Sequence, residues 1–238
     1  MHRREGKLIL AATDLVGFLE CGHLTNLERQ ADAGLIHKPT QREDPEVLLL
    51  QRRGHAHEAR YIEFLETQGR TITHGDEDWE HSYEDRAATT DRLMREGAEV
   101  IYQATVFHGQ WVGFPDFLLR KGEPGELGKD HHYEVADTKL AHTAKASALI
   151  QICSYVEQIE RLQGVRPEKV YVVTGGAEIK EHPFRTAEMM AYYRHAKGRF
   201  EAALATQLDA RSTYPDPVGH CDVCRWRPVC DHQWRQDD

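Results

Sequence analysis

Residues 133–139, with the sequence YEVADTK, most limit how this chain can fold. The apolar positions predict a buried strand, and a helical pattern over 143–163 follows it closely. Because alternate strand residues share a face, Asp137 and Lys139 point the same way and Glu134 points to the other face. A carboxylate and an ammonium are costly to bury without a task. Binding a divalent metal beside a phosphate is one such task, and an exposed ion pair at a strand end is the structural alternative.

The remaining periodicity predicts a mixed α/β core in which helices flank a central sheet. Asp44-Pro45 is a typical helix start, with the acid as cap and proline at the first helical position. Helices are predicted over 13–21, 24–33, 44–68, 83–96, 143–163 and 186–208. Strands are predicted over 71–73, 99–107, 111–120, 133–139, 169–174 and 177–184.

Four further polar residues are predicted on otherwise apolar faces. His57 falls on the inner side of its helix, where a histidine is usually a satisfied core residue. Asp116 shares a strand face with apolar residues, and Pro115 before it indicates a bulge or an edge. Gln151 and Tyr155 are four residues apart on the helix after Lys139, so they lie on one side of it.

Composition describes an ordinary globular chain of 238 residues, 40% hydrophobic and 29% charged. Because no apolar run approaches the roughly 20 residues of a membrane span and none resembles a signal-peptide core, we expect a cytoplasmic protein. A net charge of −9 argues against non-specific coating of nucleic acid, but an enzyme with a local basic track stays compatible with it. We expect a single domain, 1–238, with an N-terminal helical segment (1–44), a core (45–209) and a cysteine segment (210–238).

The five cysteines are unevenly placed and do not predict a disulfide framework. Cys153 is expected to be a plain buried thiol. Cys221, Cys224 and Cys230 are clustered near the end of the chain, a spacing typical of metal binding. Together with His220 or His232 they could form a local zinc site, which would leave Cys21 free.

Taken together, these motifs resemble the RecB-type branch of the PD-(D/E)XK nuclease superfamily. The resemblance covers roughly residues 50–160, with Asp rather than Glu as the acid before x-Lys, as is usual in that branch. The matching segments are Gly54-His55-Ala56-His57-Glu58, Gly113-Phe114-Pro115-Asp116-Phe117, Val135-Ala136-Asp137-Thr138-Lys139 and Gln151-Ile152-Cys153-Ser154-Tyr155.

This resemblance implies a restriction-endonuclease-like fold that hydrolyses phosphodiesters with Mg²⁺ or Mn²⁺. His57, Asp116 and Asp137 would ligate the metal, with the Thr138 carbonyl completing the set. Lys139 would be the catalytic lysine, and two further residues would orient it or the substrate backbone. These two are Gln151 and Tyr155.

The cysteines are similar to the iron–sulfur staple of CRISPR-associated RecB-like exonucleases and of some repair helicase-nucleases. There, one N-terminal and three C-terminal cysteines hold a [4Fe–4S] cluster, which implies the same role for Cys21, Cys221, Cys224 and Cys230 here. Such a staple would close a very long loop. The segments Ala12-Thr13-Asp14-Leu15 and Tyr102-Gln103-Ala104-Thr105 also resemble a set of bacterial RecB-like nucleases, in which helicase or other domains often follow.

The expected function is therefore a DNA nuclease, an exonuclease on single-stranded or frayed ends, in DNA repair, recombination or CRISPR-type DNA processing. The alternative is a catalytically weak nucleic-acid-binding module that docks on a helicase or a CRISPR-adaptation protein. A zinc-stabilised interaction domain is a third reading. The sequence leaves open whether the chain acts alone or within a longer protein.

We expect anaerobically purified protein to be brown, with a broad absorbance near ~400 nm, because four thiolates would hold an iron–sulfur cluster. Iron, sulfide and zinc analysis of the same sample checks this expectation. A colourless protein with stoichiometric zinc would contradict it.

Overall fold

The computed structural model describes residues 1–40, 45–141, 143, 145–176, 178–209 and 212–238. Within these ranges it contains seven α-helices and two mixed sheets. The helices are α1 (Ala12–Glu20), α2 (Gly22–Asp32), α3 (Pro45–Thr67), α4 (Tyr83–Arg95), α5 (Ala146–Gln163), α6 (Met190–Ala205) and α7 (Arg227–Asp237). The capping role predicted for Asp44 lies outside the described residues.

The larger sheet has six strands and the smaller has four. In the larger sheet the order is β10-β9-β8-β7-β4-β3, and in the smaller it is β1-β2-β6-β5. The strands are β1 (His2–Arg4), β2 (Lys7–Ala11), β3 (Ile72–His74), β4 (Val100–Tyr102), β5 (Val106–His108), β6 (Trp111–Gly113), β7 (Phe117–Gly122), β8 (His131–Lys139), β9 (Lys169–Thr174) and β10 (Lys180–Arg185). Strand β8, which carries the YEVADTK segment, is central and pairs antiparallel with β7 and parallel with β9. The mixed α/β class predicted from the sequence is confirmed at this level.

Two helices cover opposite faces of the larger sheet. Tyr61 and Leu65 of α3 pack against one face together with Phe117 and Ala136. Val135 faces the other way, into the larger core cluster. That cluster also contains much of α5, namely Ile152, Tyr155, Val156 and Ile159. The alternation along β8 therefore directs Asp137 and Lys139 toward the α5 side, as expected from the sequence.

The two long strands predicted over 99–107 and 111–120 are wrong in detail. Each is divided into two short strands, and the halves belong to different sheets. The division falls where Gln103 has a positive φ of 54° and where Pro115, which has no N–H, precedes Asp116. The hairpin between β5 and β6 is confirmed. Asp116 consequently lies at the bend just before β7, facing the end of β8.

Several smaller differences have local causes. The helix predicted over 143–163 starts at Ala146, and the one predicted over 186–208 ends at Ala205 after a short 3₁₀ turn at Thr186–Glu188. The strand over 169–174 is confirmed, and β10 returns antiparallel to it. None of the described helices is long and apolar enough to cross a membrane.

Candidate active site

The site is built around two carboxylates at neighbouring strand ends. Asp137 is 1% exposed near the end of β8. Asp116 reaches the same strand end, where its Oδ2 accepts hydrogen bonds from the Thr138 backbone N–H (2.8 Å) and the Thr138 hydroxyl (2.9 Å). Both oxygens of Asp137 lack a hydrogen-bond partner among the described residues. Lys139 forms an ion pair with Oδ2, so Oδ1 is the Asp137 oxygen left without a polar partner in the described ranges.

Burial disfavours the charged forms of both carboxylates. Burial and the nearby charge of Asp137 raise the pKa of Asp116 from 3.8 to about 7. Burial also raises the pKa of Asp137, against the opposing effect of Lys139. A divalent cation between them would offset both effects, because it would favour the ionised carboxylates.

Lys139 supplies a fixed positive charge beside the pair. Its Nζ makes an ion pair with Asp137 Oδ2, although without hydrogen-bond geometry. Burial lowers the pKa of Lys139, but the charges of Asp137 and Asp116 outweigh burial and raise it overall. The ammonium also lines a cavity of about 740 Å³, so it lies between the buried carboxylates and the open side of the site.

Gln151 and Tyr155 come together on α5 as predicted. The Gln151 amide donates a 2.8 Å hydrogen bond to the Tyr155 hydroxyl, and Gln151 lines the same cavity as Lys139. The Tyr155 ring packs against Gly113. A Cβ added to Gly113 would lie 2.7 Å from the Cδ1 atom of Tyr155. Gly113 therefore permits the close approach of α5 to β6. Burial and the charge of Asp137 raise the pKa of Tyr155, which keeps it neutral.

His57 is buried as predicted but is engaged elsewhere. Its Nε2 lies 3.0 Å from the carbonyl oxygen of Val173 on β9, and its Nδ1 has no partner among the described residues. It projects from α3 onto the sheet face opposite to that of Asp137. Ligation by His57 stays a prediction, and so does ligation by the Thr138 carbonyl.

Glu58, next to His57, is a candidate that the sequence reasoning did not single out. Its Oε2 accepts hydrogen bonds from the Tyr102 hydroxyl (2.8 Å) and the Gln103 amide (2.9 Å), which places it at the bend beside Asp116. Its charge also contributes to the raised pKa values of Asp116 and Asp137. The sequence signal that could have identified Glu58 is its position in the Gly54–Glu58 segment, one of the four segments that resemble the nuclease motifs. Glu134, by contrast, is occupied on the other face by the Lys169 N–H and the Tyr171 hydroxyl.

The donors fit a hard divalent cation, because they are carboxylate oxygens and one of them, Asp137 Oδ1, has no polar partner among the described residues. The ligand set is not fully assembled, however. Nowhere in the described ranges do three His, Cys, Asp or Glu side chains form a group that could hold a metal ion. Closing such a site would require adjustment of these side chains around the ion.

Four of the cysteines, one from the N-terminal part of the chain and three from the C-terminal part, line a second and smaller cavity. Cys21 lies between α1 and α2, and it lines a cavity of about 20 Å³ together with Cys221, Cys224 and Cys230. All four thiols are free. Burial and the neighbouring thiols raise the pKa of Cys230 to about 11, so a cation would be needed to hold its thiolate. The four residues predicted to form one centre thus share one cavity.

This cavity has room for about one water-sized sphere. Its cysteines and histidine are covered by the finding that the described ranges contain no group of three metal-ligating side chains. His220 lines the cavity, which makes it a better fourth zinc ligand than the exposed His232. Cys153 lies elsewhere, fully buried in the main core, and burial raises its pKa to about 12.

Comparison with known proteins adds a distant structural similarity, which carries no argument about fold or activity. No family model matches the chain, and no curated protein matches it. A solved structure titled "Crystal structure of SSO0001" is 11% identical, covers 96% of this chain and 88% of its own, and superposes with a TM-score of 0.46. A similarity of this level carries no argument about activity.

The raised pKa of Asp116 predicts a pH-dependent loss of stability in metal-free protein. An unfolded aspartate titrates near 3.8, so the folded state binds the proton more tightly and its stability falls as the pH rises from about 4 to about 7. Asp116→Asn cannot ionise and retains an oxygen acceptor for Thr138. We expect it to be more stable than wild type at pH 8 and to differ little at pH 4.

Urea denaturation of EDTA-treated protein across this pH range measures the effect. Asp238→Asn, at an exposed position, serves as the control and should follow wild type. If the free energies of unfolding of wild type and Asp116→Asn change in parallel from pH 4 to pH 8, the raised pKa assigned to Asp116 is contradicted.

Proposed function

We propose that this chain is a metal-dependent DNA nuclease that hydrolyses phosphodiester bonds, with exonuclease action on single-stranded or frayed DNA. One observation carries the proposal. Asp116 and Asp137 meet at adjacent strand ends, and Lys139 connects them to a large cavity. This arrangement brings together, from separate parts of the sequence, residues that the resemblance to PD-(D/E)XK nucleases implies.

Asp116 and Asp137 would hold Mg²⁺ or Mn²⁺, with His57 and the Thr138 carbonyl as the further ligands implied by the resemblance. Glu58 is a candidate to act through a water on the α3 side. When bound, the ion would supply Lewis-acid polarisation of the phosphate and activation of the attacking water. The burial of Asp137 supports this assignment, because Lys139 pairs with one of its oxygens and the other, Oδ1, has no polar partner among the described residues.

Lys139 would act as a permanent cation rather than as a base. Its raised pKa keeps the ammonium protonated at neutral pH, so it has no lone pair with which to accept a proton. At the wall of the cavity it can donate hydrogen bonds to a phosphate oxygen and stabilise the negative charge that builds up during hydrolysis. Its ion pair with Asp137 keeps it within reach of the same phosphate.

Gln151 and Tyr155 would orient the substrate strand. The hydrogen bond between them fixes the Gln151 amide at the wall of the cavity, where its carbonyl oxygen and remaining N–H can contact a sugar or a phosphate. Tyr155, held against Gly113, provides a rigid base for that contact.

The four cysteines are proposed to hold a [4Fe–4S] cluster that ties α1 and α2 to the C-terminal segment. Their shared cavity supports a single centre, with a Cys₃His zinc site through His220 as the alternative. Either centre would contribute folding stability by linking parts of the chain far apart in sequence.

A second candidate function is a nucleic-acid-binding or docking module with weak catalysis, acting with a helicase or a CRISPR-adaptation protein. The observation that favours it is the incomplete ligand set around Asp137 among the described residues. Cleavage by purified protein distinguishes the two candidates.

We expect purified protein to degrade end-labelled single-stranded DNA with Mn²⁺ or Mg²⁺ but not with EDTA. Lys139→Met keeps much of the side-chain volume and removes the charge at the phosphate, so it should lower the cleavage rate at least about 100-fold. Gel analysis of 5′- and 3′-labelled strands measures the rate and the direction.

Lys180→Met, at an exposed position on β10, is the matched control and should cleave like wild type. If Lys139→Met cleaves as fast as wild type, the activity belongs to a contaminant or the site is wrong. If wild type binds DNA but never cleaves it, the nuclease function is rejected in favour of the nucleic-acid-binding or docking function.

A further inference from the structure

The cavity beside Lys139 extends well beyond the residues of the proposed nuclease centre. It reaches from the start of α5 to α2 and to the cysteine segment, and its volume is about 740 Å³. That is within the range of roughly 300–1,000 Å³ for sites that enclose small ligands. One or two nucleotides of a strand fit such a volume, whereas the full width of a duplex does not.

The charge of the cavity is opposite to that of the whole chain. The chain carries −9, but the described residues lining the cavity include four cationic side chains and two carboxylates. The cations are Lys38, Lys139, Lys145 and Arg225, and the acids are Asp14 and Glu28. This local excess of positive charge is what a phosphodiester backbone would select.

The two carboxylates are already engaged by protein groups. Glu28 accepts a 2.8 Å hydrogen bond from the Trp226 indole N–H and pairs with Lys38. Asp14 accepts a 2.8 Å hydrogen bond from the Ala11 backbone N–H and caps α1. Lys38 and the Met1 amino group are in turn offset by these two acids. The other positive charges on the cavity wall are carried by Lys139, Lys145 and Arg225, and Lys139 also pairs with the buried Asp137.

Arg225 is held in place by its two neighbours. Trp226 is fully buried and packs with Leu27 and Cys230. Cys224 lines both the cysteine cavity and the large cavity. Because Cys224 packs against the same cluster as Trp226, both neighbours hold the backbone of Arg225 at the cavity wall.

We propose that the large cavity binds a single DNA strand, with Arg225 and Lys145 contacting the backbone phosphates on either side of the one held by Lys139. Lys145 projects from the turn before α5, and Arg225 approaches from the cysteine segment, so the strand would run between the two walls. The assignment rests on the proposed nuclease function and identifies the part of the substrate that the protein grips. It also gives the cysteine segment a direct part in substrate binding.

Binding of a fluorescein-labelled oligothymidylate, followed by anisotropy in EDTA at several salt concentrations, tests the proposal without cleavage. Each lost phosphate contact should lower the slope of log K against log [salt] by about 0.7 for a single strand. We expect Arg225→Gln and Lys145→Gln each to weaken binding several-fold and to reduce the slope by about that amount. In cleavage assays both should raise KM more than they lower kcat.

Two matched controls, Arg235→Gln on α7 and Lys180→Gln on β10, alter exposed positions and should bind like wild type. Iron and zinc content of Arg225→Gln should equal that of wild type, which separates a lost contact from a damaged cysteine centre. Lys145→Gln lies on the opposite wall and tests the cavity independently of the cysteines.

Unchanged affinity and salt slope in both variants would overturn the proposal and would leave the nuclease function standing if Lys139→Met is inactive. Equal affinity for a blunt duplex, or tighter binding of the matching RNA, would overturn the single-stranded DNA assignment. If the wild-type protein never cleaves DNA but both variants lose binding, strand binding in the large cavity is supported and the nuclease function is rejected.

Discussion

The proposed metal site depends on the unfavourable proximity of two carboxylates, Asp116 just before β7 and Asp137 near the end of β8. Asp137 is buried with no hydrogen-bond partner for its oxygens among the described residues, and Asp116 is held next to it by Thr138. Burial and the charge of Asp137 raise the pKa of Asp116 to about 7, and Lys139 only partly offsets these effects. Such an arrangement costs stability, which is typical of sites that await a cation and a charged substrate.

The surrounding fold explains why that cost is tolerated. Strand β8 is central in its sheet, with α3 packed on one face and α5 on the other, so its end is rigidly supported. The bend at Gln103 and Pro115 turns the chain so that Asp116 meets β8 from the neighbouring strand. The cysteine segment lines one part of the large cavity, and Trp226 anchors this segment to α2 through a hydrogen bond to Glu28.

Sequence periodicity identified most elements, since α3, α5 and β9 have clear apolar patterns. The alternation in residues 133–139 correctly separated Asp137 and Lys139 from Glu134. It could not show that the strands around Asp116 divide between two sheets. That division depends on the positive φ of Gln103, and glutamine is not a residue type that predicts such a backbone conformation. Nor could it show that His57 meets the Val173 carbonyl while Glu58 faces the carboxylates, because these neighbours differ by only one position on α3.

Anomalous scattering of Mn²⁺ in crystals of the full chain tests directly whether Asp116 and Asp137 share one metal ion. We expect one strong peak about 2.0–2.3 Å from carboxylate oxygens of both residues, and its loss in Asp137→Asn. A peak elsewhere on the protein, with these two carboxylates unliganded at saturating Mn²⁺, would contradict it.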